Sequence, residues 1–137
     1  MYSTIFIVYS FQSDTVNNEC TVYKTMDYIG KKWTVIILLE LYKGSKNKKR
    51  YSEIKRNIPD ITPKVLSSRL KELEKKGMIT KKIDSSHFPV KCEYSLTKSG
   101  NDFIRIIKDI KHWSLKWKIE NKVCEQLDCK YCTLYEK

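Results

Sequence analysis

The stretch ITPKVLSSRLKELEKKGMITKKI, from Ile61 to Ile83, decides how this chain is read. Thr62 is a helix-capping residue, and Pro63 stands at the first helical position, where its missing N–H breaks no helical bond. Leu66, Leu70 and Leu73 recur at i, i+4 and i+7 and form one apolar stripe. Gly77 closes the helix, and Met78 to Ile83 reads as a short basic strand. With the leucines turned inward, a step of about 100° per residue points Lys64, Ser68, Lys71 and Lys75 away from the core, with Ser67 beside them. Such a helix has one face to bury and another to present.

The flanking segments extend the picture. Tyr51 to Asn57 (YSEIKRN) reads as a short helix, with Ser52 as a candidate cap, Ile54 and Ile58 on its buried side and Pro59 as its stop. Trp33 to Tyr42 (WTVIILLELY) is apolar almost all round, so it belongs at the centre of the fold, and Gly44 ends it. Val22 to Ile29 forms a first helix, with Val22, Met26 and Ile29 on one face and Gly30 as its break. Downstream, the turn DSSHFP links the strand to an antiparallel partner, Lys91 to Leu96. Thr97 or Ser99 opens a last helix that runs through Ile119 or beyond. Ile104, Ile107, Lys108, Lys111 and Leu115 keep helical spacing along it, with Trp113 and Trp117 four apart on a neighbouring face. A short strand near Arg50 would complete a small sheet. The expected fold class is α+β, mostly α: a winged helix-turn-helix, whose presented helix enters the major groove of DNA.

Charge points the same way. The 137 residues carry a formal charge of +11. Between Lys43 and Lys82 stand fourteen Lys or Arg against four acids, a local excess of ten in about a third of the chain. One reading is a solvated lysine-rich surface; the sharper one is a phosphate-binding footprint. At 41% hydrophobic and 31% charged, the chain is ordinary for one globular domain. The apolar run from Tyr2 to Phe11 is too short to span a bilayer and lacks the flanks of a signal peptide. It reads as a β-prone arm packing on the body or a partner, or as an artefact of an upstream start codon. No membrane partner is expected, and the expected location is the cytoplasm.

Specific contacts to double-stranded DNA follow from the presented surfaces. Short hydroxyls let a helix approach a groove closely, and lysines reach phosphates or guanine. Lys64, Ser67, Ser68 and Lys71 are therefore the candidate readers, with Thr62 at the helix start. Arg69 falls beside the apolar stripe; it would reach a phosphate or brace the helix through Glu72 or Glu53. Tyr51, Ser52, Lys55 and Arg56 suit backbone contacts that set register. In the wing, Lys82, Ser85, His87 and Lys91 are placed for the flanking minor groove, although His87 reads equally well as an exposed turn histidine.

Four stretches together carry a family resemblance: Cys20-Thr-Val, MDYIGKKW at 26–33, ITPKVLSSRLKELEKKGMI at 61–79 and PVKCEYSLTKSG at 89–100. The chain resembles the HxlR-type helix-turn-helix regulators, relatives of the MarR group, from about Cys20 to Lys118. The resemblance implies a winged-helix homodimer on a partly palindromic operator, with a dimer interface built from the first and last helices. Trp113 and Trp117 support a dimer independently, since large aromatics on an outlying helix usually bury against something. The expected division is an N-terminal arm 1–19, the winged-helix domain 20–119 and a cysteine-bearing tail 120–137. The arm and the tail depart from the family pattern, as does Cys92 where an aliphatic strand residue is usual.

Five cysteines, an odd number, with no secretory signal, argue against a disulfide framework. Cys124, Cys129 and Cys132 are spaced to bind zinc or an iron–sulfur cluster, to sense redox, or to do neither. Cys20 precedes the first helix where family members often carry a cysteine, and some of those members are thiol sensors. A thiol at a helix N-terminus gains reactivity as the thiolate, and Lys24 is its nearest basic neighbour in sequence. The other reading of Cys20 is a cysteine packed against the dimer partner, while Cys92 is expected to be a buried strand residue. The leading function is a sequence-specific transcriptional regulator; the alternatives are a non-specific architectural DNA-binding protein and a redox protein built on the tail. No paired carboxylates, nucleophile–histidine arrangement or phosphate loop supports an enzyme.

Overall fold

The structure, a computed structural model, describes residues 19–86 and 88–132. Expectations for the N-terminal arm and for His87 therefore lie outside the described residues. The order is α1 (Thr21–Ile29), α2 (Thr34–Tyr42), β1 (Lys49–Arg50), α3 (Tyr51–Asn57), α4 (Pro63–Lys75), β2 (Ile79–Asp84), β3 (Lys91–Leu96), α5 (Lys98–Trp117) and α6 (Lys122–Gln126), followed by a 3-10 turn at Cys129–Tyr131. The strands form one antiparallel sheet in the order β1-β3-β2. Ile79 pairs with Leu96 and Asp84 with Lys91, so β2 and β3 stay in register along their whole length.

α4 forms as its sequence dictates. The Thr62 hydroxyl accepts the Val65 N–H at 3.2 Å, Pro63 opens the helix, and Gly77 turns the chain at φ +75°. Leu66, Leu70 and Leu73 are each at most 1% exposed. They meet Ile37, Leu38, Ile54, Ile58 and Ile79 in one core that has α2 at its centre. α5 begins at Thr97, whose hydroxyl accepts the Gly100 N–H at 3.2 Å. Gly100 is where α5 passes the residue before β2: a Cβ there would collide with the Met78 carbonyl oxygen.

Some expectations need correction. Ser52 does not cap α3. The helix starts at Tyr51, and the Glu53 carboxylate reaches back to the Arg50 N–H at 3.3 Å. Val22 and Met26 share a face with Ile29, yet they are 66% and 48% exposed, so this chain's own core does not use them. α5 ends at Trp117, and Cys92 is half-buried. The chain after α5 folds back: the Gly44 N–H donates to the Lys130 carbonyl at 2.7 Å, and the Lys111 ammonium to the Leu127 carbonyl at 2.7 Å.

Candidate nucleic-acid interface

The face of α4 opposite its leucines carries Lys64, Ser67, Ser68 and Lys71, all exposed. The Ser67 hydroxyl lies 3.3 Å from that of Tyr51, which also donates to the Pro63 carbonyl at 3.1 Å. Tyr51 therefore sets the start of α4 against α3, a positioning role that sequence reasoning did not assign. Ser52 and Arg56 are exposed and Lys55 half-buried on the same short helix. The Thr62 side chain is engaged as the cap.

Arg69 braces α4, though not through an acid. Its Nε donates to the Lys32 carbonyl at 3.0 Å, in the turn where Trp33 adopts φ +82°. Two neighbouring contacts join the same elements. The Lys31 ammonium meets the Glu72 carboxylate at 2.8 Å, and the Lys76 ammonium lies 4.9 Å from the centre of the Tyr28 ring. The presented helix is thus tied to α1 and the α1–α2 turn at three points.

The wing brings Lys82 and Lys91 onto one face, but register places Glu93 opposite Lys82 and Asp84 opposite Lys91. Glu93 also receives Lys48 at 3.6 Å. Positive charge at the base of the wing is largely balanced, so the density of cation is higher on α4. Asp84 accepts from the Ser86 N–H at 3.0 Å and from its hydroxyl, which holds this carboxyl below the ordinary range. Ser85 is exposed, and Phe88 near the tip is 99% exposed.

Among the thiols, Cys20 is exposed and occupies the N-cap position of α1. The adjacent Lys24 ammonium pairs with Glu19 at 3.2 Å. Cys124, Cys129 and Cys132 are half-buried in the folded-back tail, and burial pushes the Cys129 thiol up, away from the thiolate. Among the described residues no three His, Cys, Asp or Glu side chains converge as a metal site requires.

The tail is held by Asp128, which caps the 3-10 turn through the Lys130 N–H at 2.8 Å and meets the Lys108 ammonium at 3.1 Å. First the Lys130 amide and then Lys108 hold the Asp128 carboxyl below its ordinary value of 3.8. The Tyr42 hydroxyl, then Asp128, holds Lys108 above its ordinary 10.5. A lowered acid stabilises the fold above its unfolded pKa and loses that effect as pH falls through the folded value; a raised base stabilises below its unfolded pKa and loses the effect as pH rises. The tail is therefore expected to stay docked between about pH 4 and about pH 10. The Gly44 amide resonance reports this: it should move on acidification, and should already be moved at neutral pH in Asp128→Ala. An unmoved resonance in that variant means the latch is held by something else.

A presented helix, its supporting helix and an antiparallel wing on a small helical body define a winged helix-turn-helix DNA-binding protein. The HxlR-like helix-turn-helix family model matches residues 28–122, and the chain belongs to that family. Over 94 residues it is 37% identical to the uncharacterised HTH-type transcriptional regulator YvaP of Bacillus subtilis, covering 69% of this chain and 83% of that one. A solved MarR-family regulator from Porphyromonas gingivalis W83 superposes with a TM-score of 0.65 at 36% identity, over 76% of this chain and 98% of the other. The redox regulator HypR in its oxidised form gives a TM-score of 0.63 at 35% identity, over 73% and 99% of the two chains. The protein is accordingly a transcriptional regulator with a helix-turn-helix DNA-binding fold, not an enzyme. Among the described residues no helix is long and apolar enough to cross a membrane.

Proposed function

We propose that this regulator binds a palindromic operator as a homodimer, reads it with Lys64, Ser67, Ser68 and Lys71, and responds to thiol chemistry at Cys20. The observation that carries the reading is the division of α4. Three leucines are buried, and two hydroxyls and two ammonium groups stand on the exposed side. The register contacts come from Tyr51, Ser52, Lys55 and Arg56, with Lys82 and Lys91 in the wing. Two recognition helices related by a two-fold axis fit half-sites about 10 base pairs apart.

Cys20 suits the sensing role by position. It stands at the N-cap position of the helix that the Lys76–Tyr28 contact, with Lys31–Glu72 and Arg69–Lys32 in the turn after it, joins to the reading helix. An adduct at this sulfur would displace the start of α1 and, through those contacts, the spacing of the two reading helices. Solved structures of HypR in oxidised and reduced forms, and of the regulator YodB bound to a quinone, lend this support from relatives.

Selection from a random duplex library tests the operator. Enrichment of one palindrome supports the reading, while even recovery of all sequences favours architectural binding. On the selected site, Lys64→Ala should weaken binding about tenfold and lower the salt slope by about one. Ser68→Ala should cost about 1 kcal/mol and relax preference at one base pair. Unchanged affinity in both variants, with thermal unfolding also unchanged, would assign DNA reading to another face.

A further inference from the structure

We propose that Cys129 and Cys132 are a modification site, a dithiol that closes into a reversible disulfide and clamps the folded-back tail. The site is separate from Cys20 and does not rest on the sensing role assigned there.

The backbone selects this pair. The two residues bracket the 3-10 turn Cys129–Tyr131, and the Cys132 N–H donates to the Cys129 carbonyl at 3.3 Å. A turn closed from i to i+3 keeps its end Cα atoms within about 7 Å, and a disulfide joins Cα atoms about 4.4–6.8 Å apart. Side chains three apart in a 3-10 turn also stand over one another. Cys124 belongs to α6, and the extended residues Leu127 and Asp128 separate it from the turn.

The two sulfurs differ in access. Cys132 lines the open cleft between the tail, the α2–β1 loop and α3, a lining to which Cys129 does not contribute. Burial, partly countered by Lys111, pushes the Cys129 thiol up, so it stays protonated. Cys132 is thus the sulfur that a hydroperoxide meets first. Its thiolate attacks one oxygen of hydrogen peroxide: an S–O bond forms, the O–O bond breaks, and the other oxygen leaves as hydroxide and is protonated to water. Cys129 then gives up its proton and attacks the Cys132 sulfur. The S–S bond forms, the S–O bond breaks, and the oxygen takes that proton and leaves as a second water. The two thiols lose two electrons and the peroxide gains them. A dithiol reductant reverses the bond by exchange.

The closed loop would enclose Lys130, the residue by which the tail is latched. The Lys130 carbonyl accepts the Gly44 N–H at 2.7 Å, and its own N–H is held by Asp128, which meets Lys108. Docking arranges the turn for the bond, so the bond must favour docking by the same factor.

The full chain, reduced and freed of reductant, is treated with hydrogen peroxide, alkylated and digested with trypsin, which cuts after Lys130 inside the closed loop. The expected product is an intramolecular Cys129–Cys132 bond that dithiothreitol reverses and that both Cys20→Ser and Cys124→Ser retain. Exchange of the Gly44 amide should slow about fivefold in the oxidised chain. In glutathione buffers, Asp128→Ala should move the equilibrium about fivefold toward the dithiol, with a thermal melt confirming that the variant is folded. A pair that stays reduced, or a bond that joins Cys124 to either sulfur, overturns the proposal. A bond lost in Cys20→Ser also overturns it, because that oxidation belongs to the start of α1. So does unchanged Gly44 exchange on oxidation, or an Asp128→Ala equilibrium equal to the parent's, since the bond would then form without clamping the tail.

Discussion

Glu40→Ala is expected to lose about 3–5 kcal/mol of folding stability. Glu40 is fully buried in the apolar helix α2, and its carboxylate is the shared partner of Lys49, Lys43 and Asn57. Removing it takes from the nearly buried Lys49 ammonium the carboxylate it meets at 3.0 Å, and desolvated charge that has lost its counter-charge is the costly state. For a domain of this length the loss corresponds to a melting temperature lower by roughly 10–20 °C. The cause is separable from lost packing. Glu40→Leu combined with Lys49→Met replaces charge by apolar volume, and should recover much of the stability that Glu40→Leu alone loses. A Glu40→Ala melt within a few degrees of the parent would mean that water reaches these lysines and the cluster is solvated.

That cluster also marks the limit of sequence reading. An acid inside WTVIILLELY is visible as an anomaly, and Lys43 stands at helical spacing three residues on. Its two closer side-chain partners, though, arrive from a chain reversal nine residues on and from α3, seventeen residues on, and no helical spacing connects those. The α4 segment was legible because everything that defines it is local: the Thr62 cap, Pro63, the leucine period and Gly77 all act within one turn of their own position. Its outward face followed by arithmetic. Arg69 was half legible. Its place beside the apolar stripe was clear, but its partner is a carbonyl that the Trp33 turn presents, and a turn with a non-glycine residue at positive φ leaves no signal in composition. The tail escaped for a related reason: α6 has five residues and no apolar period, and its docking rests on Asp128, Lys108 and backbone carbonyls.

The wing shows how an inventory of charges misleads where register decides. Lys82 and Lys91 count as two cations in sequence, yet antiparallel pairing sets an acid across from each. Pairing of charges between strands was fixed only once the turn length was known. On α4 no such pairing intervenes, because Lys64 and Lys71 stand on one helix face with serines between them.

The second large effect concerns the face of α5 that the core leaves open. Ile106, Ile110, Trp113 and Trp117 are 46%, 51%, 56% and 64% exposed, and they follow one another at intervals of four, three and four. That is the spacing of a helix–helix seam. α1 adds Val22, Tyr23 and Met26, all exposed, and its Thr25 lines a common cleft with Ile106 of α5, so the two apolar faces adjoin. An apolar surface shared by two neighbouring helices is what a two-fold partner covers. Ile110→Glu combined with Trp113→Glu should therefore give a folded monomer, because neither side chain belongs to the core of its own chain. Sedimentation should report half the parent mass, with the far-ultraviolet spectrum unchanged. A monomer engages one half-site only, and loss of the linked second contact should lower operator affinity by about 10²–10⁴-fold. Lys64→Ala, by contrast, weakens each contact while leaving the assembly whole. A double-glutamate variant that still sediments at the parent mass would show that the dimer forms elsewhere, and the seam would then need another occupant.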